Sequence, residues 1–88
     1  MEDQKNLSIA VSLVEDETHT EATAKVSIAG TDYSGSGLAR RNPSDPNVPM
    51  IGEELATARA LSDLSHTLVD VAARTLEDHL GRPVSIDE

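Results

Sequence analysis

The feature that most constrains the fold is a long helical pattern in the second half of the chain. No glycine or proline lies between Glu53 and Leu80, and apolar residues recur there with the 3.6-residue period of an α-helix. Pro49 suits the first turn of a helix, and Gly81 favours its end. The sequence therefore predicts one helix over about 50–80. Its predicted apolar face consists of Ile51, Ala58, Leu61, Leu64, Leu68, Val71, Ala72 and Leu76.

This helix is too long and too apolar for a small sheet to cover. Thirty helical residues span about 45 Å, whereas a compact chain of 88 residues has a radius of gyration of about 12 Å. Either the helix breaks near 62–65, or a second copy of the chain buries the excess apolar surface. We favour the second alternative, because no helix-breaking residue lies in that stretch. The sequence therefore predicts a homodimer.

Composition sets the class of protein. The chain has 88 residues, 7 Lys and Arg, 16 Asp and Glu, a formal net charge of −9 and no cysteine. This length predicts a single domain over 1–88. Because the chain has no cysteine, it can form neither a disulfide framework nor a thiolate metal site. The excess of acidic over basic residues disfavours binding of the chain on its own to nucleic acid. A polar N-terminus and the lack of a long apolar run predict a cytoplasmic protein with no membrane contact.

Three strands precede the helix. Apolar residues alternate with polar ones over about 6–14 and again over 20–29, a pattern typical of half-buried strands. A weaker strand follows over 33–39, where Gly35 and Gly37 indicate either a bulge or the close approach of another backbone, for which the following helix is the favoured element. The predicted fold is α+β, with a three-stranded antiparallel sheet followed by one long C-terminal helix in the order β-β-β-α.

A proline-rich connector over 40–49 joins the sheet to the helix. It is the only locally basic stretch, because Arg40 and Arg41 outnumber Asp45. Two adjacent arginines on a stiff loop suit contact with phosphate or with an acidic protein surface. The alternative is a structural pairing with Asp45 or with a glutamate at the start of the helix. The tail over 81–88 alternates apolar and polar residues, which favours a short strand added to its own sheet or to a partner's.

No pattern in the sequence points to an enzyme. Asp63, His66 and Asp70 share a helix face, but it is the polar face, where such residues normally form surface pairs. The segment from Gly35 to Gly37 does not continue into a phosphate-binding loop, because Arg40 stands where that motif needs glycine. We therefore predict no catalytic residue, no metal, no cofactor and no small-molecule substrate.

Residues 37–64 carry a more specific pattern. It comprises Gly37-Leu38-Ala39-Arg40, Asn42-Pro43-x-Asp45, Val48-Pro49-x-Ile51-Gly52-Glu53-Glu54-Leu55 and Ala58-Arg59-Ala60-Leu61-x-Asp63-Leu64. This pattern resembles the signature of a small actinobacterial family of unknown function that is associated with hypoxia, stress and dormancy. The resemblance implies a fold like the double-stranded-RNA-binding domain, a homodimer and, through a structural likeness to ribosome hibernation-promoting factors, association with ribosomes.

The residues in and beside this pattern allow two interpretations, a binding site or a structural signature. Arg40, Arg41, Asn42 and Asp45 are the candidate binding residues, and Asn42 with Asp45 would cap the connector. A structural signature would consist of Gly35 and Gly37 beneath the helix and Ala58, Leu61 and Leu64 in the core. The net charge of −9 supports an alternative function, an acidic protein–protein interaction module without nucleic-acid contact.

Overall fold

Three antiparallel strands and one long helix make up the computed structural model, which describes residues 2–86. The strands are β1 (Ile9–Glu15), β2 (His19–Ile28) and β3 (Thr31–Arg40), and the helix is α1 (Pro49–Leu80). The strands pair in the order β1-β2-β3, with β2 in the centre. The predicted α+β fold with the element order β-β-β-α is therefore confirmed.

The chain reverses direction between the strands through two tight turns. Ala29 and Gly30 both have positive φ angles, 51° and 82°, as the two central residues of a type I′ hairpin turn require. The turn between β1 and β2 is held by Asp16, whose main-chain N–H donates to the carbonyl oxygen of His19 at 2.9 Å. Both connections are short, so the register of the three strands is fixed along their length.

Two glycines on β3 determine where the helix lies. A Cβ atom placed on Gly35 would lie 2.6 Å from the carbonyl oxygen of Ala60 and 2.8 Å from Cα of Leu64, and one placed on Gly37 would overlap the backbone of Ala56 and Ala60. Only glycine lets two backbones approach this closely. The close approach predicted at Gly35 and Gly37 is present, and it holds α1 over β2 and β3.

The core contains fewer large apolar residues than the sequence predicts. The helix contributes to it the row of Ala56, Ala60 and Leu64. The prediction that Ala58 and Leu61 fill the core is wrong for a single chain, since Ala58 is exposed and Leu61 is 39% exposed. Small residues spaced by four face the glycines, because they allow a closer approach than the leucine row does. Besides Gly35, the buried residues are Thr20, Ala22, Ala24, Val26, Ala39, Ala56, Ala60 and Leu64.

Strand β1 is left uncovered. Its apolar residues Ile9, Val11 and Leu13 lie opposite buried residues of β2 and so point to the helix side of the sheet. They are nevertheless 50%, 39% and 40% exposed, because the glycines place α1 over the other two strands. The prediction of a half-buried first strand is therefore wrong for the single chain, although its alternating pattern is correct.

The helix is continuous from Pro49 to Leu80 and extends beyond the sheet. It begins without a side-chain cap and ends at Gly81, whose φ of 68° gives the left-handed conformation of a helix C-cap. Residues 82–86 of the tail form no strand, and Asp87 and Glu88 lie outside the described residues. Within 2–86 no helix is long and apolar enough to cross a membrane.

Candidate functional site

Three of the four candidate binding residues, Arg40, Arg41 and Asp45, line one cleft at the end of the sheet, and Asn42 lies outside its lining. The cleft lies between the β1–β2 turn, the connector and the first turns of α1, and has a volume of about 280 Å³. We call it the connector cleft. It is lined by residues 15–20, 39–41 and 45–49 together with Ile51, Gly52 and Leu55.

Arg41 joins the two loops that border the connector cleft. Its main-chain N–H donates to the carbonyl oxygen of Thr18 at 2.8 Å. Its side chain donates from Nε to the carbonyl oxygen of Glu17 and from Nη1 to the carbonyl oxygen of Asp45, both at 3.1 Å. The guanidinium therefore bonds to main-chain oxygens of the turn and the connector rather than to a carboxylate. This arrangement gives Arg41 a structural role.

The other candidate binding residues, Arg40, Asn42 and Asp45, make contacts different from those of Arg41. Arg40 is the last residue of β3, lies opposite His19 in the register and has an exposed side chain. The side-chain oxygen of Asn42 accepts hydrogen bonds from the main-chain N–H and the hydroxyl of Ser44, at 3.1 and 2.9 Å. The main-chain N–H of Asp45 donates to the carbonyl oxygen of Asn42. Asn42 thus initiates the turn of the connector, and Arg40 is the arginine that faces solvent.

Asp16 organises the opposite wall of the cleft. One of its carboxylate oxygens accepts hydrogen bonds from the main-chain N–H groups of Thr18 and His19, both at 2.8 Å. These two donors stabilise the charged carboxylate and hold the pKa of Asp16 below its usual value. The Asp16 carboxylate is therefore a structural element of the turn.

Glu15, at the end of β1, and Glu53, near the start of α1, are in contact through their side chains. The hydrogen bond between their side chains raises the pKa of Glu15 above its usual value, with smaller contributions from desolvation and from the negative charge of Glu53. A shared proton suits such a pair, and two full charges repel each other. The contact therefore strengthens as the pH falls through the raised pKa of Glu15.

Glu15→Gln is expected to raise the melting temperature at pH 7 and to have no such effect below about pH 4. The amide keeps a hydrogen-bond donor for Glu53 and removes one of the two repelling charges. At low pH the two melting temperatures converge, because Glu15 of the wild-type protein is then protonated in the folded state. Thermal unfolding followed by circular dichroism across this pH range measures the effect. Glu17→Gln, in the same turn, is the matched control, and an equal gain in both variants would contradict the pairing.

The cleft is more acidic than its arginines suggest. Four carboxylates, from Glu15, Asp16, Glu17 and Asp45, line it together with only two arginines, so with neutral His19 the lining has a formal charge of −2. Elsewhere, Nδ1 of His66 lies 2.8 Å from the carbonyl oxygen of Ser62, one turn earlier in the helix. Within 2–86, no three His, Cys, Asp or Glu residues are placed to hold a metal ion.

A second concave surface lies between β1 and the helix, at a place that no single pattern in the sequence specifies. Its volume is about 470 Å³ and its surface is almost entirely apolar. We call it the apolar groove. Leu61, which the sequence assigns to the core, forms part of its wall. The signal was present as the alternating pattern of β1, but that pattern does not say which strands a helix covers. The groove is lined by Ile9, Leu61, Leu64, Ser65, Leu68, Val69, Ala72 and Ile86.

Known proteins share both the sequence and the fold. Uncharacterized protein Rv2632c of Mycobacterium tuberculosis is 42% identical over 81 residues, which are 92% of this chain and 87% of that protein. Uncharacterized protein Mb1767 of Mycobacterium bovis is 39% identical over 79 residues, which are 90% of this chain and 84% of that protein. The crystal structure of Rv2632c matches with a TM-score of 0.85 at 40% identity and covers 93% of this chain and 98% of that one.

The resemblance read from residues 37–64 therefore extends over nearly the whole sequence. The relatives named here are described as uncharacterized proteins, so the comparison assigns a family and a fold without an activity. The family model described as Rv2632c-like matches residues 5–85 of the sequence. The chain therefore belongs to the Rv2632c-like family.

Proposed function

We propose that the protein is a non-enzymatic binding module that works as a homodimer, with the apolar groove as its dimer interface. The observation that carries this proposal is the exposed apolar surface on β1 and α1. The stress and dormancy context comes from the family resemblance, and we extend it to this protein as part of the proposal.

The amount of exposed surface supports a dimer. The accessible surface of the chain is 6846 Å², whereas a compact monomer of 9.4 kDa exposes roughly 5,000 Å². The difference of roughly 1,800 Å² exceeds the roughly 800 Å² that each partner contributes to a stable interface. Leu64 is the only large side chain that is fully buried among the described residues. A second copy would supply the apolar contacts that one chain lacks.

The charge distribution favours a protein partner over ribosomal RNA. Phosphate binding needs clustered lysines and arginines, but carboxylates outnumber arginines in the connector cleft. Arg41 is in addition bonded to two main-chain carbonyl groups, which leaves Arg40 as the exposed cation of the pair. We therefore propose the acidic protein–protein module ahead of direct contact with ribosomal RNA.

Light scattering coupled to size-exclusion chromatography tests the homodimer. The wild-type chain is expected to elute at twice 9.4 kDa, about 18.8 kDa, at concentrations of about 1–100 μM, where specific dimers of moderate affinity form. Leu61→Asp places a charge in the apolar groove and is expected to yield a folded monomer, because Leu61 is 39% exposed in the single chain. Leu76→Asp, which alters another exposed leucine outside the groove, is the matched control and is expected to remain dimeric.

Two outcomes would contradict the proposal. A wild-type monomer over the whole concentration range would remove the dimer, and equal dissociation of both variants would remove the groove as its interface. Sedimentation of the same preparations with ribosomes at low salt tests the choice of partner, and we expect no pelleting. Pelleting that Arg40→Ala abolishes would favour ribosome association through the connector instead.

A further inference from the structure

The two outer edges of the sheet differ in what covers them. On β3, the main-chain N–H of Ser36 donates to a carboxylate oxygen of Asp63 at 2.9 Å, and Nη1 of Arg59 donates to the carbonyl oxygen of Leu38 at 2.8 Å. Both partners come from the helix, so α1 satisfies backbone groups that would otherwise be open to another strand. Strand β1 forms the other edge of the sheet, and the helix lies away from it.

The hydrogen-bond pattern of the sheet shows which groups of β1 point outward. Residues of an antiparallel strand alternate between bonding to one neighbour and bonding to the other. Ser36 and Leu38 point away from β2, so their partners in the register, Thr23 and Glu21, direct their backbone groups towards β1. There they meet Ser12 and Val14, which leaves the odd residues of β1 with N–H and C=O groups directed outward. These residues are Ile9, Val11 and Leu13.

The outward edge of β1 also lacks the usual protection against pairing. Exposed edge strands of monomers normally carry lysine, proline or a bulge that discourages another strand. No charged residue and no proline occurs from Asn6 to Val14, and β1 pairs with β2 without interruption. In a chain of net charge −9, this neutral strand is where two copies can approach with little repulsion.

We propose that β1 pairs with β1 of a second copy, antiparallel about a two-fold axis at Val11, to form one continuous six-stranded sheet. This proposal rests on the homodimer proposed above and specifies its geometry. The register places Val11 opposite Val11 of the partner subunit and Ile9 opposite Leu13 of the partner subunit. A register centred on Ser12 would instead place Glu15 opposite an isoleucine, so the apolar pattern favours Val11.

The pairing also completes the apolar groove. Ile9, Val11 and Leu13 of both copies would form one apolar strip on the helix side of the joined sheet, bordered by the two helices. Ile9 and Leu61 already line the same groove within one chain, so the strip continues directly into it. The main-chain hydrogen bonds would fix the orientation of the two copies, and the apolar side chains would supply the contact area.

Amide hydrogen exchange followed by NMR distinguishes edge pairing from other dimers. In the dimer, the amides of Ile9, Val11 and Leu13 are expected to exchange at least about tenfold more slowly than in the Leu61→Asp variant as a monomer. The amides of Ala10 and Ser12, which bond to β2 in either state, serve as internal controls. A dimer in which the three odd amides exchange as fast as in the monomer would overturn edge pairing and leave the homodimer intact. A wild-type monomer at all concentrations would overturn both proposals.

Substitution of the central residue provides a second test. Val11→Pro removes an outward N–H without removing a bond to β2, and proline is tolerated on such an edge. It is expected to shift the mass from about 18.8 to 9.4 kDa, while Val11→Thr, which keeps the N–H and the branched side chain, is expected to remain dimeric. A dimeric Val11→Pro variant would contradict the pairing. If Val11→Pro does not fold, the exchange rates of the wild-type protein decide.

Discussion

Replacing Gly37 with alanine is expected to lower the free energy of unfolding by about 3 kcal/mol. The added Cβ would overlap the backbone of Ala56 and Ala60 and would lie 2.7 Å from Cβ of Arg59. Backbone atoms of a helix cannot rotate away as a flexible side chain can, so the whole helix must move off the sheet. A chain of 88 residues is stable by only roughly 4–13 kcal/mol, which makes this loss a large fraction of the total.

Urea denaturation followed by circular dichroism at the helix band measures the loss. Ser36→Ala is the matched control, because Ser36 lies between the two glycines on the opposite face of β3 and the substitution leaves its main-chain bond to Asp63 intact. Its effect is expected to stay within about 0.5 kcal/mol. If Gly37→Ala unfolded at the same urea concentration as the wild-type protein, the close packing of α1 on β3 would be wrong.

Leu64→Ala is expected to cost about 3 kcal/mol of unfolding free energy. Leu64 is 2% exposed and packs against the buried alanines and Val26, so its removal leaves a cavity in a core that has few other large side chains. The surrounding residues cannot collapse into this space, because the glycine contacts already fix the distance between helix and sheet.

The same denaturation experiment tests this second substitution. Leu76→Ala, at a residue that is 40% exposed, is the control and is expected to cost less than about 1 kcal/mol. Both variants are best made in the Leu61→Asp background, so that dissociation of a dimer does not contribute to the transition. Equal losses at both positions would mean that Leu64 is not the centre of the core.

The periodicity of the sequence was sufficient for the secondary structure, and the two glycines of β3 indicated the close approach at Gly35 and Gly37. The periodicity was insufficient to identify the face of the helix that meets the sheet. Counting apolar residues favours the broad face that includes Ala58 and Leu61, but the distance between the backbones is set by residue size. The row of Ala56 and Ala60 therefore packs on the glycines, and this choice depends on the sheet as well as on the helix.

The same limit applies to the candidate site. The adjacent arginines line the connector cleft, but their different contacts depend on distances between loops that are separate in the sequence. Arg41 reaches the carbonyl oxygen of Glu17 across the sheet end, and no local pattern encodes that contact. Likewise, the pairing of Glu15 with Glu53 arises only when the end of β1 is brought beside the start of α1.

The contact between β3 and α1 has a consequence for how the sequence can vary. In most cores a larger residue on one side can be accommodated by a smaller one opposite it. Glycine already occupies the facing positions on β3, at 35 and 37, and no smaller residue exists. A gain in volume at Ala56 or Ala60 therefore has no compensating substitution on the strand. Larger residues can be accommodated at these two helix positions only if the helix moves away from the sheet.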